Sequence, residues 1–250
     1  MQHAGQGRGL ADLRRQVERL DGRLRQRPVL PFGVPDLDRC LPGGGLALGA
    51  LHEVVESGPA AEFAGAATLF VAGIAARLEG PVLWCLNRRD LFAPGLARAG
   101  LHPDRVIYAE TMRDRDILPV LEEGLRERGL AAVVGEVTRL GLTASRRLQL
   151  AAEASGVPAF ALRRWWTVAE RDLAGLPTAA STRWRIAPQA SPAPLAPGLG
   201  RARWQVELVR CRGGEPRSWI LEACDPAGRL ALPSDPVQRL EAPVRRAAGR

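Results

Sequence analysis

The chain has 250 residues, enough for one large α/β domain with a small appendage. Hydrophobic residues at 46% and charged residues at 25% suit a globular protein. No run of about 18 apolar residues is present, so no transmembrane helix is expected.

The net charge is +8, and all 35 basic residues are arginine, because the chain contains no lysine. Any chemistry that needs a lysine is therefore excluded. The first residues, MQHAGQGRGLADLRRQ, lack the apolar stretch of a signal peptide, which predicts a cytoplasmic location. Cys40, Cys85, Cys211 and Cys224 lie far apart and form no CxxC pair, so no metal site is expected.

In chain order, Leu10, Leu13, Val17, Leu20 and Leu24 fall at alternating steps of three and four. This predicts an amphipathic helix over residues 10–27 with one narrow apolar stripe. Pro28 and Pro31 end it. Its stripe either packs on its own domain or docks on another molecule. A compact lead-in, LPFGVPDLDRCL, follows, and then Gly43 to Gly45 permit a turn.

Leu46 to Val55 reads as a bend into the first core strand. Glu62 to Leu78 reads as helix, with Phe63, Ala66, Ala67, Phe70, Ile74 and Leu78 on one face. Strand, glycine turn and helix are the layout of a phosphate-binding loop in a nucleotide-binding α/β domain. Such a loop needs a lysine for the phosphates and a hydroxyl for magnesium. With Gly58 as the first loop glycine and Gly65 as the last, those two positions fall on Ala66 and Ala67. The nucleotide site is therefore expected to be degenerate.

Pro81 to Leu86, Val106 to Ala109, Leu130 to Val134 and Val157 to Leu162 read as buried strands. They alternate with helices over Leu91 to Ala99, Arg113 to Arg128 and Thr143 to Ser155, the last capped by Thr143 and stopped by Gly156. This alternation predicts a mostly parallel sheet whose ligands sit beyond the carboxyl ends of the strands.

After Arg163 the chain turns aromatic and basic. Between Arg139 and Arg212, twelve arginines face four acidic residues. Residues 189–200 read as a flexible loop. Residues 203–210 and 217–222 read as a β-hairpin about Arg212, Gly213 and Gly214, and the tail from about Pro233 reads as frayed. Arg163, Arg164, Arg201, Arg203, Arg210 and Arg212 are candidates for phosphates or an acidic partner surface. Trp165, Trp166, Trp184, Trp204 and Trp219 are candidates for stacking on single-stranded bases. Solvated faces for the arginines and core for the tryptophans are the plain alternatives. Trp165 and Trp166 are adjacent and point to different sides of an extended chain, so this pair is the best candidate.

Three stretches carry a family likeness: LPFGVPDLDRCLPGGGLALGALHEV, VVGEVTRLGLTASRRLQLAAEASGVPAFALRRW and RWQVELVRCRGGEPRSWILE. With the element order between them they span about residues 28 to 223. The chain resembles the ImuA family, RecA-like proteins that are also similar to the cell-division inhibitor SulA. The likeness implies a RecA-like, P-loop NTPase-type α/β fold: a helix over 1–27, a core over 28–232 and a tail over 233–250. Measured against an active ATPase of that type, the magnesium-linked aspartate falls at Gly135, next to Glu136. The catalytic glutamate falls near Asn87 to Arg89, where the chain reads NRR. No ATP hydrolysis and no cofactor are expected. Whether the loop at Gly58 still holds an anion through backbone N–H groups stays open.

The resemblance further implies an accessory role in SOS-induced translesion DNA synthesis and mutagenesis. Its partners would be the polymerase homologue ImuB, an error-prone replicative-type polymerase and RecA, with single-stranded DNA as a further contact and no membrane. The helix with Leu10, Leu13, Val17, Leu20 and Leu24 is the implied docking element. The alternative is a SulA-like inhibitor that binds the tubulin-like division protein.

Overall fold

The computed structural model describes residues 27–167, 170, 176–191 and 200–233. The expected N-terminal helix, most of the loop at about 189–200 and the tail from 234 lie outside these residues. A short ribbon comes first, β1 (Val29–Leu30) against β2 (Leu46–Ala47), with a one-turn helix α1 (Pro35–Asp38) between them. Asp38 fixes the lead-in by accepting the N–H groups of Phe32 at 2.7 Å and Gly33 at 3.0 Å.

The βαβ units follow. They are β3 (Leu51–Glu56), α2 (Ala60–Ala76), β4 (Val82–Leu86), α3 (Ala93–Arg98), β5 (Val106–Glu110), α4 (Asp114–Gly124), β6 (Ala132–Val137), α5 (Leu142–Ser155) and β7 (Ala159–Arg163). Three strands close the chain: β8 (Thr182–Gln189), β9 (Arg203–Cys211) and β10 (Arg217–Glu222). Among the described residues, none of these helices is long and apolar enough to cross a membrane.

One sheet takes eight strands in the order β10-β9-β8-β3-β7-β6-β4-β5. From β8 to β5 every pairing is parallel, and β9 and β10 join antiparallel. The expected α/β class with a mostly parallel sheet is what forms. Every residue of β3, β6 and β7 is buried, as helices on both faces of a parallel sheet require. Ala67, Phe70, Val71 and Ile74 of α2 fill one face. Ile117 and Leu121 of α4, with Leu148 and Ala152 of α5, fill the other.

β8 was not expected, because its basic and aromatic residues hide a strand pattern. Thr182, Trp184 and Ile186 are buried, while Arg183, Arg185 and Ala187 alternate with them in more open positions. β8 pairs with β3 and so carries the β9–β10 hairpin into the main sheet. A second correction concerns α5. The helix starts at Leu142, its N-cap is Gly141, and no side chain caps it, so Thr143 is not the cap. Gly156 ends it as expected, with φ 83° in the left-handed region.

The lead-in closes the α2 side. Phe32 lies 6.0 Å from Phe70 and 5.4 Å from Trp184, ring centre to ring centre, and Trp184 lies 5.8 Å from Phe70. Trp184 is fully buried, and its indole N–H donates to Thr182 Oγ1 at 2.8 Å. This trio joins β8, α2 and the lead-in. Trp184→Ala is expected to lower unfolding stability by about 3–5 kcal/mol, read as a lower urea midpoint.

Candidate functional site

The carboxyl ends of β3, β4, β6 and β7 meet at one edge of the sheet, where an open α/β fold places its ligand crevice. β3 ends at Glu56, only Ser57, Gly58 and Pro59 intervene, and α2 begins at Ala60. The strand therefore turns straight into the helix. Gly65, Ala66 and Ala67 are not loop residues. They lie inside α2, and Ala66 and Ala67 are buried core.

The helix start is also satisfied internally. The Ala60 amide donates to Trp165 O at 2.8 Å, and the Glu62 and Phe63 amides donate to Pro59 O at 3.0 and 3.1 Å. A Cβ on Gly58 would run into the ring of Phe63. Gly58 therefore makes room for the chain's own aromatic side chain.

Pleat alternation changes the reading of β6. A Cβ on Gly135 would meet Leu121 of α4, so Gly135 faces away from the crevice. Glu136 faces it. Its Oε1 accepts the Trp84 indole N–H at 2.8 Å, and its Oε2 lies 2.7 Å from Arg164 Nε. Glu56 comes in from β3, with Oε1 3.7 Å from Arg164 Nη1. Glu56, Glu136 and Arg164 are all buried. Arg164 Nη2 also donates to Thr68 Oγ1 of α2 at 3.3 Å.

Two buried carboxylates thus share one guanidinium. Burial pushes the Glu56 carboxyl up to about 8. Arg164 opposes the shift, and Glu136 and Asp90 add to it as like charges. The Trp165 main chain also opposes it, but neither Glu56 oxygen has a hydrogen-bond partner of good geometry among the described residues. Burial raises Glu136 as well, against Arg164 and the Trp84 N–H. Two buried carboxyls closed on the one guanidinium, Phe63 packed on Gly58 and helix amides bonded within the chain do not fit a magnesium triphosphate.

Arg163 and Arg164 are not surface cations. Arg163 is 1% exposed on the opposite face of β7. Its Nη1 donates to Glu53 Oε1 at 2.8 Å and its Nη2 to Thr138 O at 2.9 Å. Glu53 Oε2 accepts from Thr178 Oγ1 at 2.6 Å and from Arg183 Nε at 2.8 Å. Trp165 is buried, and Trp166 is half-buried with the Arg88 guanidinium 4.3 Å above its ring. The first of the pair is enclosed and the second partly open.

The later arginines are spent mostly within the fold. Arg201 pairs with Glu222 at 3.3 Å and donates to Arg229 O at 2.8 Å. Arg203 is buried. Arg210 donates to Ala180 O at 2.8 Å, and Arg212, which stays exposed, donates to Ala179 O at 3.2 Å. Trp184, Trp204 and Trp219 are buried in the core cluster, not on a stacking surface.

Exposed positive charge lies elsewhere. Arg88 and Arg89 follow β4, Arg113 and Arg115 follow β5, and Arg139 follows β6, all at the crevice edge. Sequence reading missed them as a group because they are scattered over about fifty residues. Their common signal was position, since each follows an apolar strand. Beside them a cleft of about 420 Å3 opens between α2 and the segment after β4, lined by Thr68, Asp90, Phe92, Arg164 and Trp166 among others.

No protein-family model matches the chain. Over 206 residues it is 44% identical to Protein ImuA from each of two strains of Caulobacter vibrioides, covering 78% of this chain and 84% of the relative. Among solved structures, the crystal structure of the RadB recombinase is similar with a TM-score of 0.57. That match covers 82% of this chain and 99% of the other at 18% identity, which speaks to the fold alone.

The raised Glu56 carboxyl has a signed consequence. Between an unfolded value near 4.5 and a folded value of about 8, the native state holds a proton that the unfolded chain releases. Stability from this group is therefore full below 4.5 and is lost as pH rises through 8. Glu56→Gln is expected to flatten that decline by on the order of 1–3 kcal/mol, measured as denaturant midpoints from pH 5 to 9.

Proposed function

The chain belongs to the ImuA family, and from that premise we propose that it is a non-catalytic accessory factor in SOS-induced translesion DNA synthesis and mutagenesis. In this reading the RecA-like core, residues 28–232, is a binding scaffold. Its partners are the polymerase homologue ImuB and RecA, working beside an error-prone replicative-type polymerase. Residues 1–27 supply the docking stripe of Leu10, Leu13, Val17, Leu20 and Leu24. Single-stranded DNA is a further partner, met by the exposed rim of Arg88, Arg113 and Arg139 beside Trp166.

The observation that carries the reading is how the turn from β3 into α2 is packed. Phe63 covers Gly58, and Glu56 and Glu136 close on Arg164 where a triphosphate would need cations. In this reading the core keeps the surfaces of its fold without turning over a nucleotide. Family membership supplies the setting, and the crevice supports binding without turnover.

The test is a pull-down from DNA-damaged cells with the tagged chain and a version lacking Met1 to Arg27. The full chain is expected to recover the mutagenic polymerase homologue or RecA, and the truncation to lose it. The purified chain is expected to bind no ATP with magnesium by calorimetry. Recovery of the tubulin-like division protein instead would move the assignment to a SulA-like inhibitor. Tight ATP binding would reopen an enzymatic role.

A further inference from the structure

We propose that residues 10–24 also have a docking site on their own core, in the groove between α4 and α5. The groove holds about 500 Å3 and is lined by Leu125, Leu150, Ala151 and Ala154, with Glu122 and Arg147 at its rim. Leu125 is fully buried and gives an apolar floor. Leu150 is 64% exposed on the outer side of α5, whereas Leu148 and Ala152 of the same helix face the sheet. An ion pair between Arg147 and Glu122 ties the two helices across one wall. Arg126 and Arg128 also border the groove, so its apolar part is the strip of Leu125, Leu150, Ala151 and Ala154, and a leucine this exposed beside it gains by being covered.

The point where the described chain begins indicates what covers it. Arg27 Nη2 bonds to Glu153 Oε1 at 2.8 Å, and Gln149 Nε2 donates to the same oxygen at 2.8 Å. Glu153 lies on α5 three residues beyond Leu150, about 4.5 Å along the axis. Leu24 precedes Arg27 by three residues, so at full stretch it lies within about 11 Å of it. The apolar stripe is thus tethered beside the exposed leucine. From Leu10 to Leu24 a helical stripe spans about 21 Å, and the 14 residues of α5 span a similar length. A tether this short gives an effective concentration on the order of millimolar, so a modest contact suffices.

The contact itself needs no partner and does not rest on the partner assignment above. It adds a consequence to that assignment. One stripe cannot lie in the groove and on a partner at once, so a partner that takes the stripe must displace it from α4 and α5. The core then carries an internal competitor for its own docking element.

The test is photo-crosslinking of the full chain with a benzophenone amino acid at Leu20. Isotopically light and heavy chains are mixed before irradiation, and products are mapped by mass spectrometry. Crosslinks are expected to fall within residues 118–126 or 147–155 and to join light to light and heavy to heavy. Leu150→Glu, at an exposed position, is expected to cut the yield at least about fivefold. Ile220→Glu, exposed on β10 at the far edge of the sheet, is expected to leave it unchanged. Light–heavy hybrids would overturn the proposal in favour of a second copy as host. Crosslinks elsewhere, or a yield indifferent to Leu150→Glu, would overturn it outright. No partner is present, so failure here is read separately from failure of the pull-down.

Discussion

Two consecutive arginines at the end of β7 hold the carboxyl edge of the sheet together. Pleat alternation sends Arg163 to one face and Arg164 to the other. Arg163 meets Glu53 on the α4–α5 side, and Arg164 meets Glu56 and Glu136 on the α2 side. Both glutamates of β3 are fully enclosed. A charge taken out of water at this depth must be paired, and losing one partner strands the other. Strands β3, β6, β7 and β8 and the turn at Thr138 are therefore tied at the same end by bonds that fail together. The two networks are not equivalent. Glu53 is saturated by two guanidiniums and a hydroxyl, whereas Glu56 shares a single guanidinium and keeps a raised carboxyl.

At the same edge the turn from β3 into α2 differs from a phosphate loop in more than its missing lysine. A phosphate loop works by leaving amides and cations unspent until the ligand arrives. Here the chain spends them. The helix begins at Ala60, its first amides are bonded, Phe63 lies over Gly58, and Arg164 is held by two carboxylates and Thr68.

Much of the architecture was legible in the sequence. Apolar runs of strand length, separated by helical patterns, announced the parallel sheet, and Gly213 and Gly214 announced the hairpin. The absence of lysine is what made a degenerate nucleotide site the expectation. What escaped depends on partners distant in the chain. Arg163 looks like a surface cation until Glu53, 110 residues earlier, is placed beside it. β8 was missed because Arg183 and Arg185 mask the buried alternation of Thr182, Trp184 and Ile186. Gly135 was read as the metal position because sequence order does not show which face a residue takes. Leu121 on one side and Trp84 on the other decide that Glu136 is the residue at the crevice.

The charge excess then takes a different meaning. The segment from Arg139 to Arg212 carries a surplus of arginine, yet Arg163, Arg164, Arg183 and Arg210 are largely consumed by carboxylates, carbonyls and hydroxyls inside the fold. Composition alone would place a basic face there, and the folded chain presents much less of one. Exposed guanidiniums collect instead after β4, β5 and β6, around the half-buried Trp166. Loops at the ends of parallel strands can vary without disturbing the sheet that carries them. The fold thus divides its arginines at this edge: Arg163 and Arg164 tie buried carboxyls together, and the exposed arginines in front of them face the solvent.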